Sequence, residues 1–255
     1  MDAPGSAGAA SESGFLRRKK LTIVKVIAQN GAHGSTAIRG HPMSRSAGRA
    51  AQGQVRIIGG RWRGTRLPVA DQPGLRPSAD RVRETLFNWL QPILPGARVL
   101  DLFAGSGALG LESLSRGARE ALLVERDPGT AEQLRQVVQR LDAGDQAHVV
   151  RVEAIAFLRA PMHGRFDVVF VDPPFDAGLW GQVLPLLPPW LADDAWLYLE
   201  GPVSVSIAAG RGWILHREGR TREVRHALYR RAADAAATLA ADSTDDGAAM
   251  ESRTE

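Results

Sequence analysis

One join constrains this chain more than any other stretch. Arg98-Val99-Leu100-Asp101-Leu102-Phe103 passes directly into Ala104-Gly105-Ser106-Gly107-Ala108-Leu109-Gly110. A short apolar run stopped by glycines reads as a buried strand. Leu111, Leu114 and Ser115 then read as a helix, with Gly117 as its C-terminal cap. A strand feeding straight into a helix commits the chain to βαβ units and a parallel sheet. The pattern repeats downstream. Ala121–Glu125, His148–Val152, Phe166–Val171 and Trp196–Glu200 are further strands. Helices separate them at Pro128–Leu141, from Glu153-Ala154 to Leu158, and from Leu179 to a break at Pro185 or Pro188. Trp213–His216 and Glu223–Tyr229 form a terminal hairpin around Gly219-Arg220. This predicts an α/β fold with a doubly wound, mostly parallel seven-stranded sheet and an antiparallel terminal hairpin.

Ahead of the sheet, Val55–Ile58 and Thr65–Leu67 flank Gly59-Gly60-Arg61-Trp62-Arg63-Gly64 and read as a β-hairpin within residues 54–75. Arg76-Pro77-Ser78 opens a helix with Ser78 as N-cap. Val82, Leu86, Trp89 and Leu90 fall on its core face, leaving Arg76, Arg81 and Arg83 for the other. Residues 54–231 are thus the expected folded domain. Residues 1–53, rich in Gly, Ala, Ser and Arg, read as a disordered leader. A true start at Met43 would account for it, an organelle transit peptide being the other reading. Residues 232–255, Ala-rich then acidic, read as a disordered tail.

Net charge is only +4, but the basic residues are unevenly spread. Arg56, Arg61, Arg63, Arg66, Arg76, Arg81 and Arg83 crowd one region, which suits a nucleic-acid face or, more plainly, a solvated surface. Trp62 among them either stacks on a base or covers the hairpin's apolar face. The chain has no cysteine, which excludes disulfides, thiolate metal sites and cysteine nucleophiles, including those that methylate C5 of pyrimidines. The six histidines show no close pairing of the H-x3-H kind, so no metal is expected. No run of about 18 apolar residues is present to span a membrane. A cytoplasmic monomer is expected.

Val171-Asp172-Pro173-Pro174-Phe175 closes the fourth strand of the sheet. Neither proline can donate to a ladder, so the chain leaves the sheet with Asp172 at a strand's carboxyl end, where open α/β sheets bind ligands. Such a corner suits methylation of an exocyclic amino group. The lone pair of that nitrogen is delocalised into the ring. Two acceptors, the Asp172 carboxylate and the Pro173 carbonyl, can hold its hydrogens and aim the lone pair at a methyl donor. Phe175 would stack on the base, a contact worth roughly 1–3 kcal/mol. A strand end closed by a Pro-Pro turn and a core phenylalanine is the plainer alternative.

Gly105-x-Gly107-x-x-Gly110, with Glu125 ending the next strand, also matches the dinucleotide fingerprint. Asp101, ahead of the turn, suits phosphates badly. It suits a ligand bearing an amino group and a sulfonium cation, as S-adenosylmethionine does. Gly105 and Gly107 would let the backbone approach it, Glu125 would accept from its ribose hydroxyls, and Glu153 from the adenine amino group.

Asp101 to Gly110 with Asp172-Pro173-Pro174-Phe175 resembles the Class I, Rossmann-like S-adenosylmethionine-dependent amino-methyltransferases. Two further stretches narrow the match. Arg56-Ile57-Ile58-Gly59-Gly60-x-Trp62-Arg63-Gly64, then Leu75-Arg76-Pro77-Ser78-x-Asp80-Arg81-Val82-Arg83-Glu84-Thr85-Leu86-Phe87-Asn88-Trp89-Leu90, resemble the RsmD family of bacterial 16S rRNA guanine-N2 methyltransferases. The resemblance covers roughly residues 54 to 231. It implies methyl transfer to N2 of one guanine of 16S rRNA in the assembling 30S subunit. It also implies that Asp101, Phe103, Ala104, Gly105, Ser106 and Gly107 cradle the donor, with Glu125, Arg126, Glu153 and Ala154 at its nucleoside. Arg76, Ser78 and Glu84 would close over the site. Asp172, Pro173 and Phe175 would receive the guanine, and Arg61, Trp62, Arg63, Arg66 and Arg81 would contact RNA. Glu153 departs from the shorter Asp or Asn expected there.

Three rivals stay open at this stage. The first is a DNA methyltransferase acting on adenine N6 or cytosine N4, against which the lack of a separate target-recognition domain speaks. The others are an NAD-binding oxidoreductase and a non-catalytic RNA-binding module on the same scaffold.

Overall fold

A computed structural model describes residues 53–69, 77–160, 164–175 and 178–232, with backbone alone for 77–79. The leader and the acidic tail (apart from Gly53 and Ala232) and Arg76 lie outside the described residues. Strands β1 (Gln54–Arg56) and β2 (Arg66–Pro68) pair antiparallel, Val55 opposite Leu67, around a 3₁₀ turn at Gly60–Trp62. Helix α1 (Pro77–Leu90) leads into β3 (Arg98–Asp101), α2 (Ala108–Ser115), β4 (Glu120–Glu125), α3 (Pro128–Arg140), β5 (Ala147–Arg151) and α4 (Ala154–Arg159). The chain continues through β6 (Phe166–Val171), a short α5 (Trp180–Val183), β7 (Leu191–Pro202), β8 (Trp213–Arg220) and β9 (Val224–Arg231).

The seven-stranded sheet has the order β5-β4-β3-β6-β7-β9-β8. Its first five strands are parallel, and β9 runs antiparallel between β7 and β8. Connections that wind outward from β3 in one direction and from β6 in the other leave a crevice at the carboxyl ends of that pair. Ala121 to Val124 and Val168 to Val171 are buried without a break, as parallel strands covered on both faces must be. Helix α1 covers one face. Phe87 lies 6.3 Å from Phe170, and Trp89 stacks on His226 at 5.6 Å. Asp127 caps α3 by accepting from the Thr130 amide at 2.7 Å, with Pro128 in the first turn. Pro185 and Pro188 hold the chain after α5 in two 3₁₀ turns, so the helix predicted there is a single turn.

Three expectations need correction. Helix α1 already includes Pro77, so Ser78 lies inside its first turn and is not the N-cap. Arg83, assigned to the outer face, is buried, because the N-terminal hairpin covers that side of α1. Its Nη2 donates to Asp80 at 2.7 Å and to the Arg56 carbonyl at 2.9 Å. Strand β7 is longer than Trp196–Glu200, because Leu191 pairs with Phe166 at one end and Pro202 with Val224 at the other.

The hairpin is latched to the last turn of α2. Glu112, fully buried, accepts from the amides of Ile58 (2.6 Å) and Gly59 (2.8 Å) and from Arg116 Nε (2.7 Å). Ser115 Oγ accepts from the Trp62 amide at 2.9 Å and donates to the Gly59 carbonyl at 2.6 Å. Helix α2 runs away from the carboxyl ends of the strands, so this latch sits roughly 10 Å along the helix from the glycine turn.

Candidate active site

Strand β3 ends in Asp101, and the chain then folds across the end of β4. The Ala104 amide donates to the Val124 carbonyl at 2.9 Å, and the Gly107 amide to the Ala104 carbonyl at 2.6 Å. Glu125 pins the turn: Oε2 accepts from the Gly105 amide (2.9 Å) and Oε1 from that of Asp127 (2.8 Å). Gly105 has φ +50°, a left-handed conformation that favours glycine. The nearest atom to where its side chain would stand is the Phe103 carbonyl oxygen at 4.0 Å, so a ligand can approach this backbone closely. Gly110 serves packing instead, since a Cβ there would lie 2.1 Å from Leu123 Cδ2. Asp101 is only 2 % exposed, and its Oδ2 accepts from the Gly110 amide at 3.0 Å. Burial pushes its carboxyl up to about 7 against the opposite pull of the Gly110 and Phe103 amides. Phe103 and Ser106 are half-buried beside it, and Ala104 is buried.

Glu153 has a task that its sequence position did not reveal. Its Oε2 caps α4, accepting from the amides of Ile155 (2.9 Å) and Ala156 (3.1 Å). Ala154 is buried behind it, whereas Arg126 and Glu84 are exposed. Arg76 and the Ser78 side chain are outside the described residues.

On the acceptor side, β6 ends at Val171, followed by a half-buried Asp172, a buried Pro173 and an exposed Phe175. The Phe175 ring tilts toward Trp180, centroids 6.5 Å apart, and Trp180 Nε1 donates to the Glu200 carbonyl at 3.0 Å. Asp101 pairs with Phe170, Phe170 with Tyr198, and Val171 with Leu199. That register, carried on by one residue, sets Asp172 beside Glu200. Burial first, then the neighbouring Glu200 and Asp101, hold the Asp172 carboxyl well above the ordinary carboxylate range. Glu200 is pushed up by burial and partly relieved by the Tyr198 hydroxyl, which donates to its Oε2. Glu200 was absent from the predicted site. The signal was available: an acid ending an apolar strand, the same rule that picked out Asp172 and Glu125.

The hairpin residues sit apart from this crevice. Trp62 is half-buried against the core, with the Arg61 guanidinium 3.9 Å from its ring centroid. Arg61 also donates to Gln146. Trp62 thus covers the hairpin's apolar face with part of its ring and leaves the rest exposed. Arg63, Arg66 and Arg81 are exposed.

A glycine turn at the switch of a parallel sheet, an acid one strand over and an Asp-Pro-Pro-Phe corner on the other side define a Class I, Rossmann-like methyltransferase, whose methyl donor is S-adenosylmethionine. The residues present fit that donor: open backbone at Gly105 and a carboxylate at Glu125. A family model described as conserved hypothetical protein 95 matches residues 55–230. Ribosomal RNA small subunit methyltransferase D of Escherichia coli (strain K12) is 50% identical over 187 residues, 72% of this chain and 93% of the relative. Its Haemophilus influenzae namesake is 44% identical over 183 residues, 70% of this chain and 95% of the relative. The solved structure of Escherichia coli yhhF, described as a methyltransferase, matches with a TM-score of 0.64 at 50% identity, covering 71% of this chain and 99% of its own. The chain belongs to the RsmD family of ribosomal RNA methyltransferases.

Proposed function

We propose that this protein methylates the exocyclic N2 of a guanine in 16S rRNA, presented by the assembling 30S subunit in the cytoplasm. The relatives named for small-subunit ribosomal RNA support the substrate class. The observation that carries the chemistry is the Asp172-Pro173 corner at the exit of β6, in the crevice shared with the glycine turn after β3. When bound, S-adenosylmethionine supplies a methyl made electrophilic by its sulfonium. Asp101, Gly105 and Gly107 would hold its methionine end, flanked by Phe103, Ala104 and Ser106, and Glu125 its ribose hydroxyls, with Arg126 and Ala154 alongside.

The Asp172 carboxylate and the Pro173 carbonyl accept the two N2 hydrogens, which frees the nitrogen lone pair from the ring and orients it. Phe175 stacks on the base. Once N2 carries the methyl and a positive charge it is acidic, and an Asp172 oxygen, whose proton affinity is raised, takes its proton. The guanine enters unpaired or flipped, since N2 of a paired base is engaged. Arg63, Arg66 and Arg81 contact phosphates, so affinity falls with salt.

The test is labelled S-adenosylmethionine with 30S subunits from a strain lacking this gene, followed by nucleoside analysis, with N2-methylguanosine as the expected product. Asp172→Ala should lower turnover by about 100-fold or more while S-adenosylhomocysteine binding stays nearly intact. Label transferred to duplex DNA and not to 30S subunits would overturn the assignment, and equal loss of turnover and donor binding would make Asp172 structural.

A further inference from the structure

We propose that Glu200 makes this pocket specific for guanine, its carboxylate accepting the N1–H of the base whose N2 amino group lies against Asp172 and Pro173. The inference rests on the guanine assignment above and adds the residue that reads the rest of the base edge.

Glu200 stands two residues before the end of β7, one step past its last pairing with β6, and so beside Asp172 by the register that pairs Val171 with Leu199. It is held from two directions. The Tyr198 hydroxyl donates to Oε2, and Trp180, the neighbour of Phe175, donates to its carbonyl. None of the ion pairs among the described residues includes it. A second carboxylate placed next to the first, with neither ion-paired among the described residues, is an expensive way to fill a strand end. A neutral side chain of the same size would accept from Tyr198 without that repulsion. What the carboxylate adds is acceptor capacity directed at the same crevice as Asp172.

Base chemistry says what would use it. Along its pairing edge guanine presents N1–H next to the N2 amino group, an unbroken row of donors. Adenine presents N6 next to an N1 lone pair, and cytosine N4 next to an N3 lone pair. Acceptors at Asp172, Pro173 and Glu200 match the guanine row. Against the other two bases, Glu200 sets a negative oxygen facing a lone pair. A site built this way selects by the unpaired or repelled group left in the wrong complex.

The decisive substitution is Glu200→Gln, which keeps the size and supplies an N–H that can donate to a lone pair at N1. Substrates are 30S subunits reconstituted with 16S rRNA carrying either guanine or 2,6-diaminopurine at the modified position. Diaminopurine keeps the N2 amine but has a lone pair at N1. Two readouts are taken on each: kcat/KM, and Kd in the presence of S-adenosylhomocysteine. The wild-type protein should favour guanine by about 100-fold or more. In Glu200→Gln that ratio should fall by about 10- to 100-fold, with diaminopurine gaining in absolute rate and affinity. A variant that slows both substrates alike, leaving the ratio unchanged, overturns the proposal. Should Glu200→Gln not fold, Tyr198→Phe removes only the hydroxyl that orients Oε2 and should lower the ratio by about 3- to 10-fold; an unchanged ratio there is equally fatal. Wild-type enzyme on ordinary 30S subunits separates the two layers. Without N2-methylguanosine the guanine assignment and this proposal fall together, whereas with it an unmoved ratio removes Glu200 alone.

Discussion

Replacing Glu112 by alanine should loosen the N-terminal hairpin. The side chain is fully buried and satisfies two backbone amides and one guanidinium. Alanine leaves the amides of Ile58 and Gly59 without their acceptor and strands Arg116, whose guanidinium lies 5.2 Å from the centre of the Phe87 ring. Each orphaned buried donor costs about 1–3 kcal/mol, and breaking a buried ion pair about 3–5 kcal/mol. These overlap, and water can enter as the hairpin lifts, so about 4 kcal/mol is a reasonable net figure. For a domain of this size that lowers Tm by about 8–16 °C. Thermal unfolding followed by circular dichroism measures it. Hydrogen exchange should show the Ile58 and Gly59 amides opening well before those of β3 and β6. Glu112→Gln, which keeps one acceptor, should fall between. A Tm within about 2 °C of wild type, or exchange accelerated uniformly through the sheet, would refute the latch.

Four other expectations follow from the site. Asp101 has a folded pKa of about 7 against an ordinary 3.8, so its buried neutral form stabilises the fold fully below the lower value and that contribution is lost as pH rises through the upper one. The loss is about 4 kcal/mol; Asp101→Asn, which still accepts from the Gly110 amide, should lose less stability than wild type between pH 4 and 7.5 in urea melts. Gly105→Ala adds a side chain into open space at a left-handed φ, costing about 1 kcal/mol of stability but more than tenfold in S-adenosylhomocysteine affinity by calorimetry. Gly110→Ala, which drives a Cβ into Leu123, should show the reverse balance. Glu153→Ala removes the cap of α4 and should cost about 1 kcal/mol in thermal melts.

The parallel strands were legible because they are apolar runs, and α3 because Pro128 sits in its favoured first-turn position, whereas β8 runs on through Gly219-Arg220, where a bend is expected. The order of the strands was not written in any one segment, since adjacency depends on which surfaces pair after the chain has wound. Arg83 shows the limit of helical periodicity. Spacing says that it lies off the apolar stripe of α1, but not that a hairpin preceding it in the chain will close over that flank. Glu112 fails for the same reason: its two amide partners lie more than fifty positions upstream. Glu153 ends a strand and also begins a helix, and that second place, where backbone amides engage its Oε2, is not legible from the strand pattern alone.

At the amino ends of the strands, Glu120 accepts from Arg98 Nε at 3.1 Å, and Asp167 accepts from the Arg98 amide at 2.6 Å. These acids are answered locally and hold strands together. At the carboxyl ends, Asp101, Asp172 and Glu200 crowd one row, and none of the ion pairs among the described residues includes any of them. Glu200 and Asp101 raise the proton affinity of Asp172 between them, and that cost sits where ligands bind. A ligand bringing a positive charge and a row of N–H donors relieves it; phosphates and lone-pair-rich base edges aggravate it. The electrostatics of the crevice thus already disfavour a dinucleotide and favour an amine beside a cation, before any single contact is assigned.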